Sequence, residues 1–157
     1  MRIAYYTPLK PPAHAVPSGD RTMARALRAL LRGAGHGVAT VERARNAERP
    51  LRPESQERDR DLTRARFARF GRARSDRVPA TIDLWLTYHV YYKRPDWIGP
   101  AIARARNVPY CLAEVSYAPK RAGGPWDLGH REVAACVRAA DLVLNLNPVD
   151  AACVRPL

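Results

Sequence analysis

Apolar residues recur along this chain with two alternating periods. Residues 3–6, 38–41, 82–88 (IDLWLTY), 110–115 (YCLAEV) and 142–146 (LVLNL) are short, nearly continuous apolar runs bounded by turn residues, the pattern of buried strands. Between them the period lengthens. Met23, Leu27, Leu30 and Leu31 recur at i, i+4, i+7 and i+8, which predicts a helix over residues 20–32 with one buried face. Val133, Cys136, Val137 and Ala140 also lie at helical spacing, i, i+3, i+4 and i+7, in residues 127–140, and residues 96–106 form another helical segment with Pro95 placed as a first-turn proline. Strands apolar on both faces suit a parallel sheet covered by helices on each side. The alternation therefore predicts an α/β fold: a Rossmann-like, doubly wound parallel sheet with right-handed crossovers.

Three stretches interrupt this rhythm. A long loop containing Pro8, Pro11, Pro12 and Pro17 separates the first strand from its helix, and Gly33, Gly35 and Gly37 end that helix in a tight turn. Residues 43–78 are polar and arginine-rich, broken by Pro50 and Pro53, with a helix expected over residues 59–74 carrying Leu62, Phe67 and Phe70 inward. After the fifth strand, Asn147 and Pro148 resemble a cap and a first-turn proline opening a helix at Val149. The expectation is one domain, residues 1–157, belonging to a longer protein.

Composition narrows the class. With 157 residues, 46% of them hydrophobic, the chain can bury one ordinary core. No apolar run approaches the ~20 residues of a membrane span, and Met1 leads directly into a strand. The expected location is cytoplasmic. Cys111, Cys136 and Cys153 lack Cys-x-x-Cys spacing and read as small core residues of a reducing compartment. The net charge of +12 comes from 27 basic residues, of which only Lys10, Lys93 and Lys120 are lysines, leaving 24 arginines. A solvated surface accounts for most of this charge. Anionic substrates or peripheral contact with the inner face of an anionic membrane share the remainder, and no specific nucleic-acid partner is expected.

In an open parallel sheet, ligands bind at the carboxyl ends of the strands, so candidate chemistry is sought just after each one. Ser18, Gly19 and Arg21 open the first helix, where backbone N–H groups can receive a phosphate; the other reading is that Ser18 and Gly19 only cap the helix. A Gly-x-Gly-x-x-Gly fingerprint and a Walker Gly-Lys-Ser/Thr are both absent, which argues against a dinucleotide cofactor. Glu114 falls in the last turn of a buried strand, where a carboxylate is either paired with an arginine or used in chemistry. His89 ends the preceding strand and is either structural or a general base. Lys120 and Arg121, followed by Gly123 and Gly124, make a basic loop suited to an anion. His36 lies in the turn at the opposite edge of the sheet.

These segments together resemble a known family. The pattern MRIAYYTP, a proline-rich loop, PSGDRTMARALRALLRGAGHGV, IDLWLTYH, NVPYCLAEVSY and AADLVLNLN is similar to the N-terminal half of retaining glycosyltransferases of the GT-B type, the glycogen-synthase-like and mannosyltransferase-like group. The similarity covers the chain apart from residues 43–78. It implies two Rossmann-like domains facing each other across a cleft, the N-terminal one binding the acceptor and the C-terminal one the nucleoside-diphosphate sugar. It further implies that the long first loop lines the cleft and that Gly19 delivers backbone donors to the donor diphosphate. Glu114 and His89 become catalytic candidates, and Ser18, Gly19, Arg21, Lys120 and Arg121 candidates for binding substrate or phosphate. No cofactor and no metal are implied. The implied partners are a nucleotide sugar and a glycan, lipid-linked or small-molecule acceptor, and the domain alone is expected to be inactive. Many members carry a histidine near the strand end occupied here by Glu114, Val115 and Ser116. The alternative is a stand-alone, non-enzymatic flavodoxin-like module that binds an anionic ligand or surface.

Overall fold

Five strands, all parallel, form a single sheet in the order β2-β1-β3-β4-β5. The structure, a computed structural model, describes residues 1–41, 52–68 and 79–157. Along the chain the elements are β1 (Arg2–Tyr6), α1 (Gly19–Gly33), β2 (Gly37–Val41), α2 (Gln56–Ala68), β3 (Leu84–Tyr91), α3 (Gly99–Arg106), β4 (Tyr110–Ser116), α4 (Asp127–Ala139), β5 (Leu142–Leu144) and α5 (Pro148–Val154). Helices cover both faces, as the apolar runs require. On one face Ile3, Tyr5, Val38, Leu86 and Cys111 lie under Ala24, Leu27 and Leu31 of α1. On the other, Tyr6, Trp85, Tyr110 and Leu112 pack with Phe67 of α2, Ile102 of α3, and Val133 and Cys136 of α4. Asn147 caps α5 as its sequence predicts, its side chain accepting from Val149 N at 2.9 Å.

Several helix faces differ from expectation for a geometric reason. Ala24 is fully buried at the centre of the α1 contact, with Leu27 and Leu31 beside it, while Met23 and Leu30 are 43% and 68% exposed. At 100° per residue, 24, 27 and 31 cluster on one stripe, and 23 and 30 fall on its flank. In α2 the buried positions are Gln56, Thr63 and Phe67, spaced by seven and four; Leu62 lies about 100–140° from them and is 62% exposed. Phe70 and the expected helix end at 74 lie outside the described residues.

Three boundaries also move. The third strand runs Leu84–Tyr91 rather than 82–88, so His89 lies within it and not at its end. The expected helical start at residue 96 is replaced by a buried aspartate: Asp96 Oδ1 accepts from Ile98 N at 3.0 Å and Gly99 N at 2.7 Å, so α3 begins at Gly99 and its first-turn proline is Pro100 rather than Pro95. The fifth strand is only Leu142–Leu144 and bounds the sheet, with Leu142 and Leu144 about half exposed. Among the described residues it has one neighbour, so there an apolar run read as interior lies at an edge.

Candidate functional site at the carboxyl edge of the sheet

The strand order reverses direction between β1 and β3, and the crevice outside their carboxyl ends is the position where open α/β sheets hold ligands. Register places the residues. Tyr6 pairs with Thr87, and Thr87 with Leu112, so His89 and Glu114 stand two rungs farther toward the carboxyl edge. His36 precedes β2 at the opposite edge, where Gly37 pairs with Arg2.

His89 and Glu114 share an unusual backbone. Their φ angles are 61° and 63°, in the left-handed region that costs a residue with a Cβ about 1–2 kcal/mol. They are flanked by the register pairs Tyr88–Ala113 and Val90–Val115, so they occupy the same rung of neighbouring strands. The consequence is visible in side-chain alternation. Trp85 and Val90, and likewise Leu112 and Val115, belong to the same core face although regular alternation would separate them. One left-handed residue in each strand reverses the alternation. Asn145 makes good a ladder amide there, its Oδ1 accepting from Val115 N at 2.9 Å.

Freed from the core face, the two side chains meet polar neighbours. His89 Nδ1 lies 3.0 Å from Asp20 Oδ1 in the first turn of α1. The contact is close but off line, and Nδ1 makes no aligned hydrogen bond among the described residues. Glu114 Oε2 accepts from Leu146 N at 3.2 Å, tying the end of β4 to the segment after β5. Tyr88 registers both acids: burial, then the charge of Asp20, then that of Glu114 push its phenol up to about 12. Asp20 and His89 thus meet, a carboxylate and an imidazole able to accept or hand on a proton, with Glu114 at the same rung of the neighbouring strand.

The start of α1 is open. Ser18 Oγ accepts from Arg21 N at 3.2 Å, and a Cβ built on Gly19 meets nothing within 4 Å. By helix geometry the amides of Gly19 and Asp20 have no intrahelical acceptor. Arg21 Nη1 donates to His14 O and Ala15 O, both at 3.0 Å, while Arg25 Nε donates to Pro12 O at 2.7 Å. Two arginines one helical turn apart strap the proline-rich loop onto α1.

The basic loop divides likewise. Lys120 is exposed, whereas Arg121 stacks with its Cζ 4.8 Å from the Tyr92 ring. Arg94, in the loop after β3, is buried and pairs with Asp59 of α2 at 3.1 Å; burial lowers its pKa to about 10. Sequence reasoning missed Asp20 and Trp126. An acid in a first helical turn reads as a dipole partner, and a tryptophan after a Gly-Gly-Pro turn reads as local packing. Among the described residues no group of three or more His, Cys, Asp or Glu is arranged to hold a metal ion, and no helix is long and apolar enough to cross a membrane.

No family model, curated protein or solved structure matches the chain.

Proposed function

We propose that this chain is the acceptor-side domain of a glycosyltransferase that moves a hexosyl group from a nucleoside-diphosphate sugar to an acceptor hydroxyl. The observation that carries the reading is the meeting, at the β1/β3 crevice, of the open first turn of α1 with His89, whose left-handed backbone is matched at the same rung of β4 by Glu114. Left-handed strand residues persist where the surrounding structure holds them, and they concentrate at functional sites. The strapped proline-rich loop and the resemblance to GT-B N-terminal domains support the same reading.

In such a transfer the acceptor oxygen forms the new glycosidic bond, its proton passes to a base, and the bond between the sugar and the nucleoside diphosphate breaks. His89 and Glu114 are the residues proposed to receive or relay that proton. Gly19 is proposed to present amide donors to the leaving diphosphate, an electrostatic stabilisation that grows as charge develops there. Asp20 Oδ1, 3.0 Å from His89 Nδ1, stands beside the imidazole proposed to take the proton.

In this reading the nucleotide is held mainly by a second domain, so the 157-residue chain binds UDP- or GDP-sugars only above the millimolar range, through a few hydrogen bonds of about 0.5–1.5 kcal/mol each. Titration followed by amide resonances tests it: small shifts are expected at Gly19, Asp20 and His89. Micromolar affinity, or shifts confined to other edges of the sheet, would overturn the division of labour. The second reading, a flavodoxin-like binding module, is favoured by the strand order β2-β1-β3-β4-β5, which is also that of flavodoxin. It requires tight binding of an anionic ligand at the same crevice with no sugar transfer.

A further inference from the structure

Two loops at the carboxyl edge, those following β3 and β4, bring aromatic rings and cations together beside the crevice. Tyr92 and Trp126 meet edge to face with ring centroids 5.7 Å apart. Lys93 Nζ lies 5.9 Å from the Tyr92 ring and 5.6 Å from that of Trp126, and Arg121 Cζ lies 4.8 Å from Tyr92. All four side chains are partly exposed. Ring contacts of 5.4 Å from Tyr92 to Tyr91 and 5.5 Å from Tyr91 to His89 connect this shelf to the crevice.

Among the described residues its charge is uncompensated. Among the described residues no carboxylate pairs with Lys93 or Arg121, and Arg121 Nε is shut off from solvent without an acceptor. A cation–π contact contributes about 0.5–1 kcal/mol at an exposed site, less than the cost of about 1–3 kcal/mol for leaving a desolvated donor unpaired. Asp127, the acid flanking this loop, is committed elsewhere: Oδ1 accepts from Gly123 N and Oδ2 pairs with Arg131, each at 2.8 Å.

The shelf is also held rigid. Gly129 in the first turn of α4 sits so close to the Tyr92 carbonyl that a Cβ there would overlap it. Gln56 of α2 locks the arrangement, accepting from Gly129 N at 2.6 Å and donating to Pro125 O at 3.4 Å. Preorganised cations lose little entropy when an anion arrives.

We propose that Tyr92, Lys93, Arg121 and Trp126 form a subsite for the phosphate of a sugar-sized phosphorylated ligand, whose ring lies against the partly exposed aromatic side chains and extends toward His89. Two cations around one ring match a phosphomonoester, which carries nearly two charges, better than a single carboxylate, and a guanidinium engages phosphate oxygens in pairs. Only the role of that ligand as acceptor rests on the glycosyltransferase reading.

The indole N–H resonances of the 157-residue chain provide the test. Trp85 and Trp97 are buried, so Trp126 is the accessible reporter. Glucose 6-phosphate is expected to shift the Trp126 signal saturably in the millimolar range, inorganic phosphate at least about threefold more weakly, and glucose not at all at the same concentration. Arg121→Gln and Lys93→Gln should each weaken glucose 6-phosphate at least about fivefold with melting temperature unchanged, while Arg138→Gln at the far end of α4 leaves it unaltered. A silent Trp126, or equal loss in Arg138→Gln, overturns the subsite, and equal affinity for inorganic phosphate overturns the ring contact. A response to phosphatidylglycerol vesicles alone assigns the phosphate to a membrane surface and overturns the sugar-sized ligand. No donor nucleotide enters this assay. Sugar-phosphate binding by this chain with no glycosyl transfer by the intact two-domain enzyme therefore sinks the proposed activity and leaves the subsite, and transfer by the intact enzyme with a silent Trp126 does the reverse.

Discussion

His89 and Glu114 stand on the same rung of β3 and β4, about 4.8 Å apart in strand spacing, and both hold left-handed backbone, with φ of 61° and 63°. A single such residue would twist one strand out of register with its neighbour. Two at the same rung let both strands reverse their side-chain alternation together, so that Val90 and Val115 enter the core while the imidazole approaches Asp20.

The strain is measurable by comparing two truncations that remove the same side chain. In an ordinary strand, glycine is less stable than alanine by about 0.5–1 kcal/mol. At His89 the order should invert, with His89→Gly more stable than His89→Ala by roughly 1 kcal/mol, because only alanine retains the Cβ penalty. Denaturant melts of the two variants decide the point. The ordinary order would mean that the backbone relaxes and stores nothing.

Two glycines should respond oppositely to one methyl group. At Gly99 a Cβ would collide with Asp96 Oδ2 and approach Tyr110 Cε2 to 2.6 Å and Trp85 Nε1 to 2.7 Å, whereas at Gly19 it meets open space. Gly99→Ala is expected to cost about 1–3 kcal/mol or more by overpacking, and Gly19→Ala under about 0.5 kcal/mol. If Gly19 nevertheless serves a diphosphate, Gly19→Val should lower turnover of the intact enzyme at least about tenfold, or ~1.4 kcal/mol, with its melting temperature little changed. Unchanged turnover removes Gly19 from the site.

Asp96 links pH to stability. It is fully buried and accepts from Ile98 N, Gly99 N, Thr87 Oγ1 and Tyr110 Oη; burial pushes its carboxyl up, against the pull of those donors. A carboxyl that holds its proton more tightly in the folded chain than in the unfolded one loses stability as pH rises from the ordinary aspartate range toward the raised folded-state value. Asp96→Asn does not titrate. The stability advantage of wild type over this variant should therefore shrink as pH rises from about 4 to 7, where about 4 is the ordinary aspartate pKa. A gap that widens would show that the four donors outweigh burial.

The face of α2 is tested by a pair of alanines. Phe67 is 4% exposed and Leu62 is 62% exposed. Phe67→Ala should cost about 3–5 kcal/mol and Leu62→Ala within about 0.5 kcal/mol, read as shifts in melting temperature. Equal costs would return Leu62 to the core.

Much of the fold is legible in the chain itself because it is local. Apolar runs of four to seven residues alternating with helical spacing determine five strands in a parallel sheet, and Ser18 and Asn147 mark helix starts through hydrogen bonds to residues two or three positions away. The same alternation places His89, Glu114 and Gly19 at the carboxyl edge and His36 at the other. Tertiary structure decides the rest, for reasons of distance. Whether Leu62 or Phe67 faces inward depends on where the sheet lies relative to the α2 axis, and Leu142 is half exposed because, among the described residues, β5 pairs with β4 alone. Asp20 meets His89, and Arg121 meets Tyr92, across 69 and 29 residues of chain, separations over which no sequence period carries information. Left-handed backbone at His89 and Glu114 has no local signature, since it is imposed by packing Val90 and Val115 into a core built from the other elements.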